Sequence, residues 1–156
     1  MVIADRQSGR VIRKVSVRGL RANFPMVLNE EAQRISIVFR DPPVLRTLTL
    51  DGTLLTDVDV CGDADDLFVD SVRHRTYVIC GEGVVDVLNG NGLRIERIAT
   101  AVGARTGLFV PELDRLFVAV PARKGTKAEI RVFEPRTVDQ IDAGSEGRGG
   151  HKEDGK

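Results

Sequence analysis

The chain has 156 residues, 23 lysine and arginine residues against 23 aspartate and glutamate residues, and a formal net charge of zero. A chain of this length can bury the core of one domain, and with no basic excess it is not predicted to bind nucleic acid. No apolar run approaches the roughly 20 residues that cross a bilayer, and residues 1–10 lack the apolar centre of a signal peptide. We therefore predict a cytoplasmic protein without membrane contact; whether longer relatives are exported stays open.

Short extended runs separated by turns follow one another along the chain, and no segment has the period of a helix. The predicted strands are 2–4, 11–17, 26–28, 34–39, 44–50, 53–60, 67–69, 75–80, 84–88, 93–100, 108–110, 115–120 and 128–134. Asp51 and Gly52 form the strongest two-residue hairpin signal. Pro42 and Pro43 end the strand before them, because proline cannot donate to a central ladder.

The runs repeat. Asn29, Asp70 and Pro111 occupy the same place in three copies, each 41 residues after the last, and an arginine that opens a strand follows each of them. Four short strands with a period near 40 are typical of a β-propeller blade. A single four-stranded sheet with two apolar faces leaves both faces exposed to solvent, whereas stacked blades bury both faces. The fold class predicted is therefore all-β, with about three propeller blades.

Two of the copies resemble the YVTN-type (YncE-like) β-propeller repeat. The resemblance is carried by residues 70–78, DSVRHRTYV, and 111–118, PELDRLFV, where a turn is followed by arginine and an aromatic-valine strand. The first copy departs from this pattern, because Ser36 stands where Tyr77 and Phe117 stand. The resemblance covers about residues 2–135. It implies a propeller whose family usually closes a ring of about seven blades.

The chain holds too few repeats for such a ring. Residues 1–135 are predicted to form a partial propeller, with blades starting near 24, 65 and 106, and residues 136–156 a disordered tail. The strand order gives half a blade, two full blades and three-quarters of a last blade. Apolar faces would be left open, so we expect a homo-oligomer or a piece of a longer propeller. In a dimer of about six blades, residues 11–17 would lie beside 128–134 of the other copy.

The best candidate site is the mouth of the central channel, just before each innermost strand. Asp65, Asp66, Arg105 and Thr106 fall there, and we predict that they bind a small molecule or a peptide. The alternative is that these are solvated loop charges. Asp63 adds a third acid to the first pair, but the loop lacks the spacing of a calcium loop, so neither a metal nor a cofactor is predicted.

The cysteines and histidines point to no catalytic chemistry. Cys61 and Cys80 match no zinc spacing and are interpreted as buried free thiols on strands, with a disulfide between neighbouring strands as the alternative. His74 is predicted to lie in a turn and His151 in the tail. With two histidines, a Ser-His-Asp triad or a histidine-rich metal site is not expected.

The function predicted is a non-catalytic binding or scaffold module. One alternative, implied by the resemblance because related propellers include lactonases, is an enzyme of lactonase type. A truncated fragment without independent activity is another. Fold cannot decide between these alternatives.

Overall fold

The computed structural model describes residues 1–123, 125 and 127–136, and apart from one 3-10 turn at Pro111–Leu113 its regular elements are strands. In chain order the strands are β1 Val2–Ala4, β2 Val11–Lys14, β3 Arg21–Asn29, β4 Arg34–Asp41, β5 Pro43–Thr49, β6 Leu54–Asp59, β7 Ala64–Asp70, β8 Arg75–Cys80, β9 Val84–Asn89, β10 Arg94–Ala99, β11 Thr106–Val110, β12 Arg115–Val120 and β13 Glu129–Phe133.

Each sheet is an antiparallel meander in which strands that follow in sequence pair with each other. The N-terminal hairpin is β1–β2, the first sheet β3–β6, the second sheet β7–β10 and the third sheet β11–β13. The all-β fold class with four-stranded sheets predicted from the sequence is confirmed. Over residues 1–136, apart from 124 and 126, the sheets do not close into a ring.

Three apolar clusters lie between successive sheets, so the sheets stack face to face. Between the hairpin and the first sheet, Ile37, Phe39 and Leu48 pack with Met1, Val17 and Leu20. Between the first and second sheets the cluster includes Val38, Leu45, Val60, Leu67, Val78 and Leu88. Between the second and third sheets it includes Tyr77, Ile79, Val85, Val87, Phe109, Leu116 and Val118.

Strand β8 shows why the pattern is apolar on both sides. Val78 and Cys80 pack toward the first sheet, while Tyr77 and Ile79 pack toward the third. All four are at most 3% exposed. A strand between two neighbouring sheets therefore needs apolar residues at every position, which hides the alternation expected of a half-buried strand.

The first sheet starts earlier than the sequence suggests. Pro25 was expected to belong to a connector, yet it lies inside β3, where the register shifts between Asn23 and Met26. At a bulge on an edge strand, the N–H that proline lacks is not required by a ladder. The β3 strand is consequently nine residues long.

The turn at Asp51 and Gly52 also differs from its prediction. A two-residue type I′ turn needs positive φ at both central residues, but only Gly52, at 86°, has it here. The Gly52 amide donates to the Thr49 carbonyl at 2.9 Å, and the Thr49 amide donates to the Thr53 carbonyl at 2.9 Å. Hydrogen bonds from the Thr49 and Thr53 hydroxyls hold the pKa of Asp51 at about 2.

The third strand of each sheet carries a charged side chain at an equivalent position, and this side chain binds the backbone of the connector that leads into the same sheet. The pairs are Arg46 with the Ser16 carbonyl, Asp86 with the Cys61 amide and Arg131 with the Thr100 carbonyl. Asp86 is fully buried and accepts hydrogen bonds from Arg97 at 2.6 and 2.9 Å. Buried charge of this kind is tolerated because it is paired.

Cys61 and Cys80 form a disulfide, with their Cα atoms 5.9 Å apart. The interpretation as free thiols is therefore wrong, and the alternative correctly predicted a disulfide bond. Cys61 lies in the connector between β6 and β7, not on a strand. This connector crosses to the second sheet at the end where β8 finishes, which brings the two sulfurs together; their separation in sequence does not reveal it.

Candidate functional site

The predicted channel-mouth residues lie where the second and third sheets begin. The connectors that precede β7 and β11 approach the end of β4, which belongs to the first sheet. Charged side chains from all three sheets meet at this end of the stack. We call Arg40, Asp63, Asp65 and Arg105 the mouth cluster.

Arg40 joins the first sheet to the second. Its Nε donates to the Ala64 carbonyl at 2.7 Å, and its Nη2 donates to Asp65 Oδ1 at 2.6 Å. Its Nη1 lies 3.4 Å from Asp63 Oδ1. The guanidinium also stacks 4.1 Å above the ring of Phe24. Arg40 is therefore held by both charge and packing.

Arg105 joins the third sheet to the second. Its Nη1 contacts both carboxylate oxygens of Asp63, at 2.9 and 3.1 Å, and its Nε lies 3.3 Å from Asp65 Oδ2. The hydrogen bond with Asp63, followed by the charges of Asp63 and Asp65, raises the pKa of Arg105 above its usual value. The side chains of Arg105 and Asp63 are both more than two-fifths exposed, so this pair remains accessible to a ligand.

Asp66 and Thr106 have different places from the mouth cluster. The carboxylate of Asp66 accepts a hydrogen bond from the Gly107 amide at 2.7 Å, which ties the innermost strands β7 and β11 together. Thr106 is exposed at the start of β11, paired with Ala119. The structure thus brings Asp65 and Arg105 together, while Asp66 serves an inter-sheet bond.

The sequence reasoning did not single out Arg40 as part of this site and named Asp63 only as part of an acidic cluster. Arg40 lies at the end of a second strand, so only the stacking of sheets places it beside the connector before β7. Asp63 lies one repeat of 41 residues after Ala22, so the repeat predicts that both occupy the same turn. Both have a left-handed backbone, with φ 56° at Asp63 and 52° at Ala22. That signal marks the turn but not the charge partner.

The mouth cluster has two positive and two negative charges that neutralise one another. It could accept a ligand by exchanging one internal ion pair for a contact with the ligand, which favours zwitterionic or peptide-like partners over simple ions. Phe24 beside it is 63% exposed and adds an apolar surface. Such a surface, charged and partly apolar, suits recognition.

Other predicted features lie elsewhere. His74 is in the β7–β8 turn, at the opposite end of the strands from the mouth cluster. His151 and most of the predicted tail lie outside the described residues. Within the described residues, no group of three or more His, Cys, Asp or Glu side chains is placed to hold a metal ion. No helix in this part of the chain has the length and apolar character needed to cross a bilayer.

Comparisons with known proteins support the fold and go no further. No protein-family model and no curated protein matches the chain. Among solved structures, it is similar to Kuenenia stuttgartiensis hydrazine synthase, with a TM-score of 0.72 and 12% identity over 90% of this chain and 40% of that one. It is also similar to a putative 6-phosphogluconolactonase from Bacteroides uniformis, with a TM-score of 0.63 and 15% identity over 86% of this chain and 46% of that one.

A third similar structure is a gluconolactonase from Xanthomonas campestris, with a TM-score of 0.55 and 17% identity over 74% of this chain and 39% of that one. The sheets are β-propeller blades. The chain spans less than half the length of each of these three structures. At these identities the likeness concerns the fold alone.

Proposed function

We propose that the chain is a non-catalytic binding or scaffold module that works inside a closed propeller ring, and that a second copy of the chain supplies the missing blades. The observation that carries this proposal is that the stack of sheets, in the part of the chain that the structure describes, is open at both ends. Each open end carries an apolar surface of the kind that a neighbouring blade covers elsewhere in the molecule.

The open face of the third sheet has apolar rows across its strands. Phe117 lies between Leu108 and Val132 in the register, and Ala119 is paired with Ile130. Leu108, Val132 and Ile130 are 54%, 54% and 62% exposed. The opposite face of the same sheet is packed against the second sheet, so this surface lacks a counterpart within the described residues.

The N-terminal hairpin forms the other open end. Val2, Val11 and Ile12 are more than half exposed, although the hairpin packs against the first sheet through Met1 and Val17. A ring formed by two copies would place the hairpin of each copy beside β13 of the other, so that the open face of each third sheet lies against the other copy. A symmetric pair of this kind has two identical contacts and leaves no end open.

Sedimentation measurements test the second copy. We expect a dimer, and we expect Ile130→Glu combined with Val132→Glu to convert it to a monomer, because two charges would be buried in the contact. The matched control is Ile95→Glu, which changes an exposed isoleucine on β10 away from both open ends. A wild-type monomer that unfolds cooperatively would overturn the proposal, and would leave the rest of a longer propeller as the partner.

Ligand binding at the mouth is part of the same proposal, with Asp65, Asp66, Arg105 and Thr106 as its residues. Support comes from the exposed Asp63–Arg105 pair and the exposed ring of Phe24. A phage library of random peptides is the probe. Enrichment on wild-type protein should disappear with Asp65→Asn plus Arg105→Gln; binding that survives both changes would exclude this site.

The YVTN-type assignment is also a proposal. It is supported by a contact within one of the quoted repeats, because the Tyr77 hydroxyl donates to Asp70 Oδ2 at 2.9 Å. The acid of the turn and the aromatic residue of the strand are therefore direct partners. The third sheet lacks this pair, because Pro111 stands at the place of Asp70 and Phe117 has no hydroxyl.

An enzyme of lactonase type is the second candidate, favoured by the two similar structures whose names include lactonase activity. Hydrolysis of gluconolactone with added calcium or magnesium ions is the test. The binding proposal expects no turnover above the buffer rate. Turnover that scales with protein concentration and falls in Asp65→Asn would favour the enzyme instead.

A further inference from the structure

A pocket of about 500 Å³ lies between the first and second sheets, at the opposite end of the strands from the mouth cluster. Its size is within the range of small-molecule sites. The first sheet contributes Arg34, Ser36 and Thr47, and the second sheet contributes His74 and Thr76. Leu55, which is 46% exposed, forms part of its apolar wall.

The pocket exists because the interface between the first and second sheets lacks the residues that fill the equivalent space between the second and third sheets. In the register of the sheets, Ser36 and Tyr77 are equivalent, since each lies two positions after the arginine that opens the second strand. Tyr77 is 3% exposed, and its ring packs 5.2 Å from that of Phe109. Serine at the equivalent place leaves the volume of the phenol ring empty.

A second contact that fills this end of the second interface is also absent from the first interface. Arg73 binds Asp114 with two hydrogen bonds of 2.7 and 2.6 Å across the second interface. Its equivalent in the first sheet is Ala32, and the equivalent of Asp114 is His74, which has the same left-handed φ of 51°. The ion pair that closes one interface is thus replaced by an open space with an imidazole at its rim.

The chemistry of the lining favours an anion with hydroxyl groups. Arg34 brings a positive charge and His74 brings a ring N–H, while no aspartate or glutamate is among the described residues that line the pocket. The Ser36 and Thr47 hydroxyls lie 3.1 Å apart in a partly buried position. They can exchange their mutual bond for bonds to a ligand, and guanidinium groups bind carboxylates and phosphates well.

We propose that this inter-sheet pocket binds a small hydroxylated organic anion, a sugar acid or a sugar phosphate. The anionic group lies at Arg34 and His74, and the hydroxylated body lies along Ser36, Thr47 and Thr76. The wall at Leu55 covers the apolar face of the sugar ring. The site is separate from the channel mouth and requires no second copy of the chain.

Isothermal titration with glucuronate, glucose 6-phosphate and glucose tests the proposal. We expect at least one of the two anions to bind more tightly than about 1 mM and glucose to bind at least about tenfold more weakly. The anion that binds distinguishes a carboxylate ligand from a phosphate ligand. Equal affinity for glucose, or no binding of either anion, overturns the proposal.

Variants then locate the site. Ser36→Tyr restores the ring found at the second interface and should abolish binding, and Arg34→Gln should weaken it by about tenfold or more. Ser71→Tyr adds the same ring to an exposed turn and should leave affinity unchanged. Full affinity in Ser36→Tyr protein that still unfolds cooperatively would contradict the assignment, whatever the outcome at the mouth.

Discussion

The interface between the first and second sheets differs from the interface between the second and third sheets in what fills one of its ends. At the second interface, the end near the β7–β8 turn is closed by the Tyr77 ring and by the Arg73–Asp114 pair. At the first interface, the equivalent end is the pocket with Ser36 in its wall. The first interface is instead secured at its other end, by Arg40 and by the connector disulfide.

This difference shows that a stacked repeat does not need every inter-sheet position for stability. Apolar clusters in the middle of each interface hold the sheets together. One end can then be secured by charge and covalent bonding while the other end remains open. The open end of the first interface is consequently where a binding function costs the fold least.

Making the second interface resemble the first should have the largest effect. Tyr77→Ser removes a buried ring and leaves a cavity, so we expect a loss of about 3–5 kcal/mol in the free energy of unfolding. Chemical denaturation measures it. Tyr77→Phe is the matched control and should lose about 1–2 kcal/mol, because it removes only the hydrogen bond to Asp70. A loss below about 1 kcal/mol for Tyr77→Ser would show that this ring is not what closes the interface.

Removing the covalent link should weaken the first interface next. The double variant Cys61→Ala, Cys80→Ala should lose about 2–4 kcal/mol, because the disulfide limits the unfolded chain over a sequence separation of 19. Thermal and chemical unfolding measure the loss. Two thiols that react with an aromatic disulfide reagent in the untreated, unfolded wild-type protein would show that the bond does not form.

The pair that crosses the second interface should depend on pH. The hydrogen bond from Arg73 lowers the pKa of Asp114 below its usual range. Because the folded pKa is below the unfolded one, the stabilisation is present above the unfolded value of about 4 and disappears as pH falls through the folded pKa. Asp114→Asn should lower the free energy of unfolding at pH 7, because it removes the charged partner of Arg73.

Denaturation of both proteins at a series of pH values measures this difference. The wild type and Asp114→Asn should become equally stable below the folded pKa of Asp114, since the wild-type carboxylate is then neutral too. Asp57→Asn is a useful control, because Asp57 has a similar arginine partner in Arg46 but lies outside the second interface. A difference that is the same at every pH would contradict the role of the charge.

The smallest effects are expected in the mouth cluster. Arg105→Gln should lower the free energy of unfolding only slightly, because its ion pairs are exposed to solvent. Arg40→Gln should lose more, about 1–2 kcal/mol, since Arg40 also donates to the Ala64 carbonyl and stacks on Phe24. Denaturation of the two variants under the same conditions compares them. The reverse order would mean that Arg105, and not Arg40, holds the mouth together.

The sequence by itself determined the fold class. Turn residues and short β runs at a period near 40 leave few alternatives to stacked four-stranded sheets. Turns and strands depend on residues that are close in sequence, so the sequence alone predicts them. The same spacing predicted that Asp65 and Arg105 would come from equivalent connectors. It also identified Ser36 as the residue that departs from Tyr77 and Phe117, without indicating what that departure creates.

The partners of these residues were decided only by the tertiary structure. Cys61 meets Cys80, Arg40 meets Asp65, and Arg73 meets Asp114 because one sheet is stacked on the next with a particular rotation. The repeat period indicates which sheets are neighbours, but it does not specify which side chains face each other between them. The pocket behind Ser36 has the same origin, since a missing ring becomes a cavity only when a second sheet covers it.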